Sequence, residues 1–92
     1  MNVTVRAFAD FREILGCRKE VAVSTGSTVG TLLEMLARTH PGLEGGLFGP
    51  AGQLQPLVNA LVNGRNIQFL DGLDTPLTEG DVVSLFSPVA GG

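Results

Sequence analysis

A chain of 92 residues with 43% hydrophobic and 16% charged residues is expected to fold as one globular domain, not to remain disordered. Its net charge of −3, with six basic residues scattered along the sequence, argues against nucleic-acid binding, which needs a dense positive surface. The sequence has no long apolar run, no signal-peptide pattern and a single cysteine, which together predict a cytoplasmic protein with no membrane partner.

The N-terminal part predicts a hairpin of two strands. Apolar and polar residues alternate over residues 3–9, which indicates a strand with one face in the core. Phe8 falls on the polar face of that strand, an unusual place for a large aromatic side chain. Residues 11–15 have helical spacing and are followed by Gly16, so one short turn of helix is expected there. Alternation resumes over residues 18–24 as a second strand.

The next segment predicts the main helix of the protein. Ser27 or Thr28 can cap its N-terminus, since either side chain can accept a hydrogen bond from a free backbone N–H. Pro41 and Gly42 end it near Thr39 or His40. One apolar stripe follows the cap at helical spacing, made of Val29, Leu32, Leu33, Leu36 and Ala37.

The C-terminal half predicts a glycine-rich loop and three more strands. The loop covers residues 42–53, with a possible short turn at 43–47. A third strand at 56–63 carries apolar residues on both faces, which indicates a central or doubly covered position. Asn63-Gly64 is a tight-turn signal, and residues 67–70 are predicted as a short fourth strand. The final strand covers residues 82–86.

This order of elements predicts an α+β fold in which one helix covers a mixed sheet of four to five strands. The first and last strands are both strongly apolar, so they are expected to lie side by side and parallel in the middle of the sheet. That arrangement is the β-grasp, or ubiquitin-like, roll. The predicted organisation is a β-grasp domain at residues 1–86 and a flexible C-terminal Gly-Gly tail at residues 87–92.

The tail is the main candidate for function. Pro88 stops the last strand, and Gly91 and Gly92 have no side chains, so they can enter a narrow tunnel in a partner protein. The Gly92 carboxylate is then the functional group, although a disordered tail with a chance Gly-Gly would look similar. Acidic residues gather late in the sequence, which predicts that the tail end of the molecule favours a basic surface.

The chain resembles the MoaD/ThiS family of ubiquitin-like sulfur carriers. Four stretches carry the likeness, at residues 8–16, 27–32, 75–83 and 86–92. Residues 62–67 and 72–77, with the glycine-rich loop, are more similar to the longer archaeal-type and actinobacterial-type members of the family.

The resemblance implies a carrier and not an enzyme. In this family, a ubiquitin-activating-type adenylyltransferase uses Mg-ATP to adenylate the Gly92 carboxylate, and sulfur from a persulfide converts it to a thiocarboxylate. An acceptor enzyme such as a large molybdopterin synthase subunit or a cysteine synthase then takes the sulfur. The chain itself lacks a phosphate-binding loop, a metal-ligand cluster and a nucleophile–base set, so no intrinsic cofactor is expected.

Two alternatives remain open at this point: a ubiquitin-like modifier that forms isopeptide bonds through Gly92, and an interaction module with an inert tail. The acceptor pathway (molybdopterin, cysteine, thiamine or tRNA thiolation) is also open. The site residues predicted for chemistry are Gly91 and Gly92. Those predicted for partner binding are Phe8, Phe86, one of Ile67 or Phe69, and Pro88, Val89 and Ala90. The aromatic residues could instead form a second small core under the long loop. Cys17 is interpreted as an incidental thiol, and His40 as a cation that favours the helix dipole.

Overall fold

The computed structural model describes residues 1–86, except for the side chains of Asp10 and Glu44, and the predicted tail at residues 87–92 lies outside them. In chain order the elements are β1 (Asn2–Ala7), α1 (Asp10–Leu15), β2 (Arg18–Ala22), α2 (Val29–Thr39), α3 (Glu44–Leu47), β3 (Asn59–Val62), β4 (Arg65–Asn66) and β5 (Val82–Phe86). Two 3₁₀ turns, Ile67–Phe69 and Gly72–Asp74, precede β5. No helix within residues 1–86 has the length and apolar character needed to cross a membrane.

The five strands form one mixed sheet in the order β2-β1-β5-β3-β4. β1 and β5 pair in parallel at its centre, with Ala7 opposite Leu85, and the other neighbours are antiparallel. This is the β-grasp fold. The predicted central, parallel placement of the first and last strands is confirmed.

Helix α2 covers one face of the sheet and forms the core with it. Its buried stripe consists of Val29, Leu32, Leu33 and Leu36, as the spacing predicted. The side chains that meet this stripe from the two central strands are Val3, Val5, Ala7, Val83 and Leu85, all buried. The helix covers only this face and leaves the other face of the sheet without a helix on it.

Thr28, not Ser27, caps α2. The Thr28 hydroxyl accepts a hydrogen bond from the Thr31 backbone N–H at 3.2 Å, and the Thr31 hydroxyl accepts one from the Thr28 N–H at 2.8 Å. This reciprocal pair satisfies two backbone donors that would otherwise be free at the helix N-terminus.

Gly30, in the first turn of α2, lies where the helix meets the second 3₁₀ turn. A Cβ atom at this position would lie 3.0 Å from the Leu73 carbonyl oxygen and 3.2 Å from the Leu73 Cβ. The sequence shows Gly30 only as a poor helix former, whereas the structure shows that it permits close packing between the two segments.

The predicted fourth strand is wrong. Residues 67–69 form a 3₁₀ turn, and the strand of this region is the two-residue β4 just before it. The cause is Asn66, whose side-chain oxygen accepts a hydrogen bond from the Gln68 N–H at 2.9 Å and turns the chain out of the sheet. The third strand is also shorter than predicted. The Val58 N–H donates to the Gln55 carbonyl at 3.0 Å and closes a turn over residues 56 and 57, so the strand begins only at Asn59.

Candidate functional site

The base of the tail is a pair of stacked aromatic rings. The Phe8 backbone N–H donates to the Leu85 carbonyl at 3.1 Å, which extends the β1–β5 pairing by one step. The Phe8 and Phe86 side chains therefore project from adjacent strands on the face that α2 does not cover. Their ring centroids are 4.4 Å apart and the ring planes differ by 5°. We call this pair the aromatic platform.

The aromatic platform is partly open to solvent. Phe8 is half-buried, and Phe86 is 36% exposed as the last described residue before the tail. Neither ring belongs to the buried core. The two rings therefore do not form a second small core under the long loop, which was the alternative prediction. The loop contributes its own Leu43 and Leu47 to the main core instead.

Two arginines flank the platform on the same face. The Arg6 guanidinium lies 5.4 Å from the centre of the Phe8 ring, within the range of a cation–π contact. Arg18 is directly opposite Arg6 in the β1–β2 register, and both side chains are exposed. Like charges directly opposite each other on paired strands repel.

The prediction of an acidic tail end is wrong for Glu79 and Asp81. The Glu79 carboxylate accepts from the Asn2 N–H at 3.0 Å, and the Asp81 carbonyl accepts from the Thr4 N–H at 2.9 Å. Both acidic residues therefore lie where β1 and β5 begin. Because these strands are parallel, that is the end of the sheet opposite to the one from which the tail departs. Arg6 and Arg18, which we call the arginine pair, lie near the start of the tail. The basic surface that was predicted for a partner is therefore on this protein.

Asp81 links Thr78 and Asn63 by hydrogen bonds at the end of the sheet opposite Phe86. Its carboxylate accepts from the Thr78 backbone N–H at 2.8 Å, the Thr78 hydroxyl at 3.1 Å and the Asn63 side-chain amide at 2.9 Å. Partial burial acts to raise the pKa of Asp81, but the hydrogen bonds from Thr78 and Asn63 outweigh it and hold that pKa below its usual value. This network has a structural role, since it is remote from the tail.

The remaining predicted site residues differ in their exposure to solvent. Ile67 is only 3% exposed and packs in the core, so it is not available to contact a partner. Phe69, two residues later in the same 3₁₀ turn, is 85% exposed and remains the candidate of that pair. It is too exposed to be stacked on the aromatic platform. Gly91, Gly92, Pro88, Val89 and Ala90 lie outside the described residues.

One close pair was not visible in the sequence. Lys19 in β2 and His40 at the end of α2 are 21 residues apart, yet Lys19 Nζ lies 3.3 Å from His40 Nε2. Only the packing of α2 against the sheet brings them together. Cys17 is exposed in the connection before β2. Within residues 1–86, no group of three His, Cys, Asp or Glu side chains is placed to hold a metal ion.

Comparison with known proteins gives matches over the full length of the chain. The sequence model of the ThiS family matches residues 5–92. Small archaeal modifier protein 3 of Haloferax volcanii is 45% identical over 94 aligned residues that cover 100% of both chains. Sulfur carrier protein CysO of Mycobacterium tuberculosis is 36% identical, again over 100% of both chains. Among solved structures, the crystal structure of the Amycolatopsis orientalis BexX/CysO complex matches with a TM-score of 0.78 at 29% identity, covering 98% of this chain and 99% of that chain.

Proposed function

The chain belongs to the ThiS family, and from this membership we propose that it is a ubiquitin-like sulfur carrier that acts through the Gly92 carboxylate. A partner of the ubiquitin-activating type supplies Mg-ATP and joins the carboxylate to AMP, with release of pyrophosphate. The outer sulfur of a persulfide on a partner then displaces AMP and forms an acyl disulfide with Gly92. A second thiol of the partner cleaves the S–S bond, which leaves a thiocarboxylate on Gly92 and a disulfide on the partner. The relatives named as sulfur carriers support this proposal.

Family membership supplies the chemistry of the proposal, and the single structural observation that supports it is the aromatic platform, where the activating partner can dock beside the tail. A stacked, partly exposed pair of rings at the point where the tail leaves the sheet is a good anchor for a partner, because buried aromatic contacts supply much of the binding energy of protein interfaces. The six residues from Ser87 to Gly92 can span at most about 20 Å when extended. The partner's adenylating centre is therefore expected within that distance of its contact with Phe86.

The arginine pair defines the electrostatic side of this contact. Arg6 and Arg18 lie beside the platform on the same face. A partner surface with an apolar pocket for the two rings and carboxylates at its rim would match both features. Such charge complementarity chiefly increases the rate of association and selects the partner.

Transfer of the sulfur requires an acceptor enzyme. A large molybdopterin synthase subunit or a cysteine synthase is the class of acceptor that we propose. The crystal structure of the BexX/CysO complex supports the view that a relative of this chain assembles with a separate protein. The tail chemistry is the same for either acceptor.

A second function is favoured by one specific observation. A relative named as a small archaeal modifier protein is 45% identical to this chain, compared with 36% for the relative named as a sulfur carrier. In a modifier, the Gly92 adenylate reacts with an amine of a target protein instead of with sulfur. The same activation step therefore serves both functions.

Intact-mass spectrometry of the chain isolated from its own cells tests both functions. A carrier gains the mass difference between one sulfur and one oxygen atom, and removal of Gly92 abolishes that gain. A modifier produces conjugates of higher mass that also disappear without Gly92. A chain that shows neither the mass gain nor any conjugates, under conditions in which its partner consumes ATP, would contradict both functions. Only the hypothesis of an interaction module with an inert tail would then remain.

A further inference from the structure

Lys19 carries the one side-chain amine of the protein, and its environment is unusual for a surface lysine. It lies on β2, an edge strand, and its side chain is exposed. Cross-strand pairing places it opposite Val5, on the face of the sheet that α2 covers. This position brings Lys19 Nζ within 3.3 Å of the His40 imidazole at the end of the helix.

The hydrogen bonds of His40 determine which ring nitrogen faces the lysine as an acceptor. The Lys19 ammonium can only donate, so His40 Nε2 accepts from it and Nδ1 carries the proton of the neutral ring. His40 Nδ1 lies 3.1 Å from the Leu36 carbonyl oxygen and 3.0 Å from the Thr39 hydroxyl, and both of these oxygens can accept its proton. His40 Nε2 then presents its lone pair to Lys19 Nζ. The backbone N–H of His40 also donates to the Leu36 carbonyl, at 2.9 Å, and holds the residue at the helix end.

The α-amino group of Met1 provides a contrast within the same molecule. It donates to the Val23 carbonyl at 2.8 Å and is partly buried, and that carbonyl cannot remove a proton from it. Of these two amines, only Lys19 is therefore both open to solvent and paired with a base.

We propose that Lys19 is an acceptor site for a second copy of this chain, joined through an isopeptide bond to the activated Gly92 carbonyl of that copy, with His40 as the proton acceptor. The inference rests on the modifier function proposed above. Lys19 Nζ forms the new C–N bond with the Gly92 carbonyl carbon, and the C–O bond to AMP breaks, so AMP leaves with that electron pair. Lys19 reacts as the neutral amine, after its ammonium form has lost one proton to water, and the proton that the nitrogen then loses on forming the amide passes to His40 Nε2. No oxidant or reductant is needed.

The location of Lys19 is compatible with growth of a linked chain. The aromatic platform and the arginine pair are on the opposite face of the sheet. An acceptor copy that carries a second molecule on Lys19 thus keeps its own platform free for the activating partner.

The test uses a chemically activated donor, so that it does not depend on the partner enzyme. The donor is the full chain with Lys19→Arg and a mercaptoethanesulfonate thioester on Gly92, and the acceptor is the full chain with a free carboxylate. Trypsin digestion of the linked dimer should give residues 19–38 of the acceptor bearing residues 66–92 of the donor. The product on the Met1 amine, measured in the same digest, serves as the internal reference.

Two acceptor variants decide the role of His40. His40→Gln keeps a polar side chain but removes the base, and should slow formation of the Lys19 product by about 10²-fold, the low end for general-base catalysis, while the Met1 product is unchanged. The exchange variant Arg18→Lys with Lys19→Arg keeps the net charge and moves the lysine to the other face of β2, away from His40. It should react as slowly as His40→Gln.

Equal rates at Lys19 in the wild-type and His40→Gln acceptors, or at the lysine of the exchange variant, would overturn the role of His40. A dimer linked mainly through Met1 would overturn the acceptor site itself. The carrier function is separable, because thiocarboxylate formation by the activating partner depends on Gly92 and should proceed normally in Lys19→Arg.

Discussion

The aromatic platform makes a quantitative prediction for Phe86→Ala. The ring is about two-thirds buried, since it is 36% exposed, and it stacks on Phe8 at 4.4 Å. Loss of the buried area together with the stacking should destabilise the protein by about 2 kcal/mol. A domain with even about 5 kcal/mol of stability would then be unfolded in less than about 1% of molecules. Unfolding alone therefore cannot reduce activation noticeably.

Activation should fall much further than unfolding can explain. If the platform anchors the activating partner, truncation of Phe86 removes at least about 2 kcal/mol of binding, or roughly a 30-fold loss in kcat/KM for adenylation. The loss should appear in KM, because Phe86 is separated from the reacting carboxylate by the whole tail. The assay is the initial rate of pyrophosphate release as the carrier concentration is varied, with thermal unfolding measured in parallel.

Phe48→Ala is the matched control. Phe48 is also half-buried, but it packs on the α2 side of the sheet, on the glycine-rich loop. It should lose a similar amount of stability and keep kcat/KM within about twofold, since surface contacts outside a binding hot spot contribute little. Wild-type kcat/KM in folded Phe86→Ala would show that the platform does not dock the partner.

Three further predictions concern charge, pH and packing. Arg18→Glu places a carboxylate opposite Arg6, so stability should rise by up to about 0.5 kcal/mol, while kcat/KM for activation at low salt should fall about tenfold and partly recover at high salt. Because the folded-state pKa of Asp81 is lowered, its stabilising contribution is fully present above the pKa of the unfolded state and is lost as pH falls through the folded-state pKa. Chemical unfolding measured from pH 6 to pH 2 should show that the free energy of unfolding falls less steeply in Asp81→Asn than in the wild type. Gly30→Ala should destabilise by about 1 kcal/mol despite better helix propensity, because its Cβ would meet the Leu73 carbonyl at 3.0 Å.

Two of these three predictions have a control variant in the same protein, and the third has a result that would contradict it. Arg65→Glu changes the same charge at the far edge of the sheet and should leave the rate of activation unaltered, so an equal loss there would point to net charge alone. An unchanged acid slope in Asp81→Asn would mean that other carboxylates control acid unfolding. Gly45→Ala, where nothing lies within 4 Å of the new methyl group, should not destabilise, which separates crowding at Gly30 from a general effect of replacing glycine.

Much of the fold follows from local pattern. The apolar stripe and the Thr28 cap define α2 because helical periodicity and capping involve residues within one or two turns of each other. The alternation in β1 fixes which side chains point outward, so Phe8 could be assigned to the outer face before its neighbour was known. The prediction from local pattern was wrong at residues 67–69. There the Asn66 side chain accepts a hydrogen bond from the Gln68 N–H, so the chain forms a 3₁₀ turn instead of a strand, and Ile67 is buried.

The sequence by itself determined the β-grasp core, the outward aromatic residues and the family, since these depend on periodicity and on residue types at short spacing. Only the tertiary structure decided how charge is distributed and which distant side chains meet. Glu79 and Asp81 lie at the end of the sheet opposite Phe86 because β1 and β5 are parallel, and Arg6 faces Arg18 because of strand register. Lys19 meets His40 because α2 packs across the sheet at one particular position. Such contacts depend on how whole elements are placed against one another, and no local pattern in the chain encodes that placement.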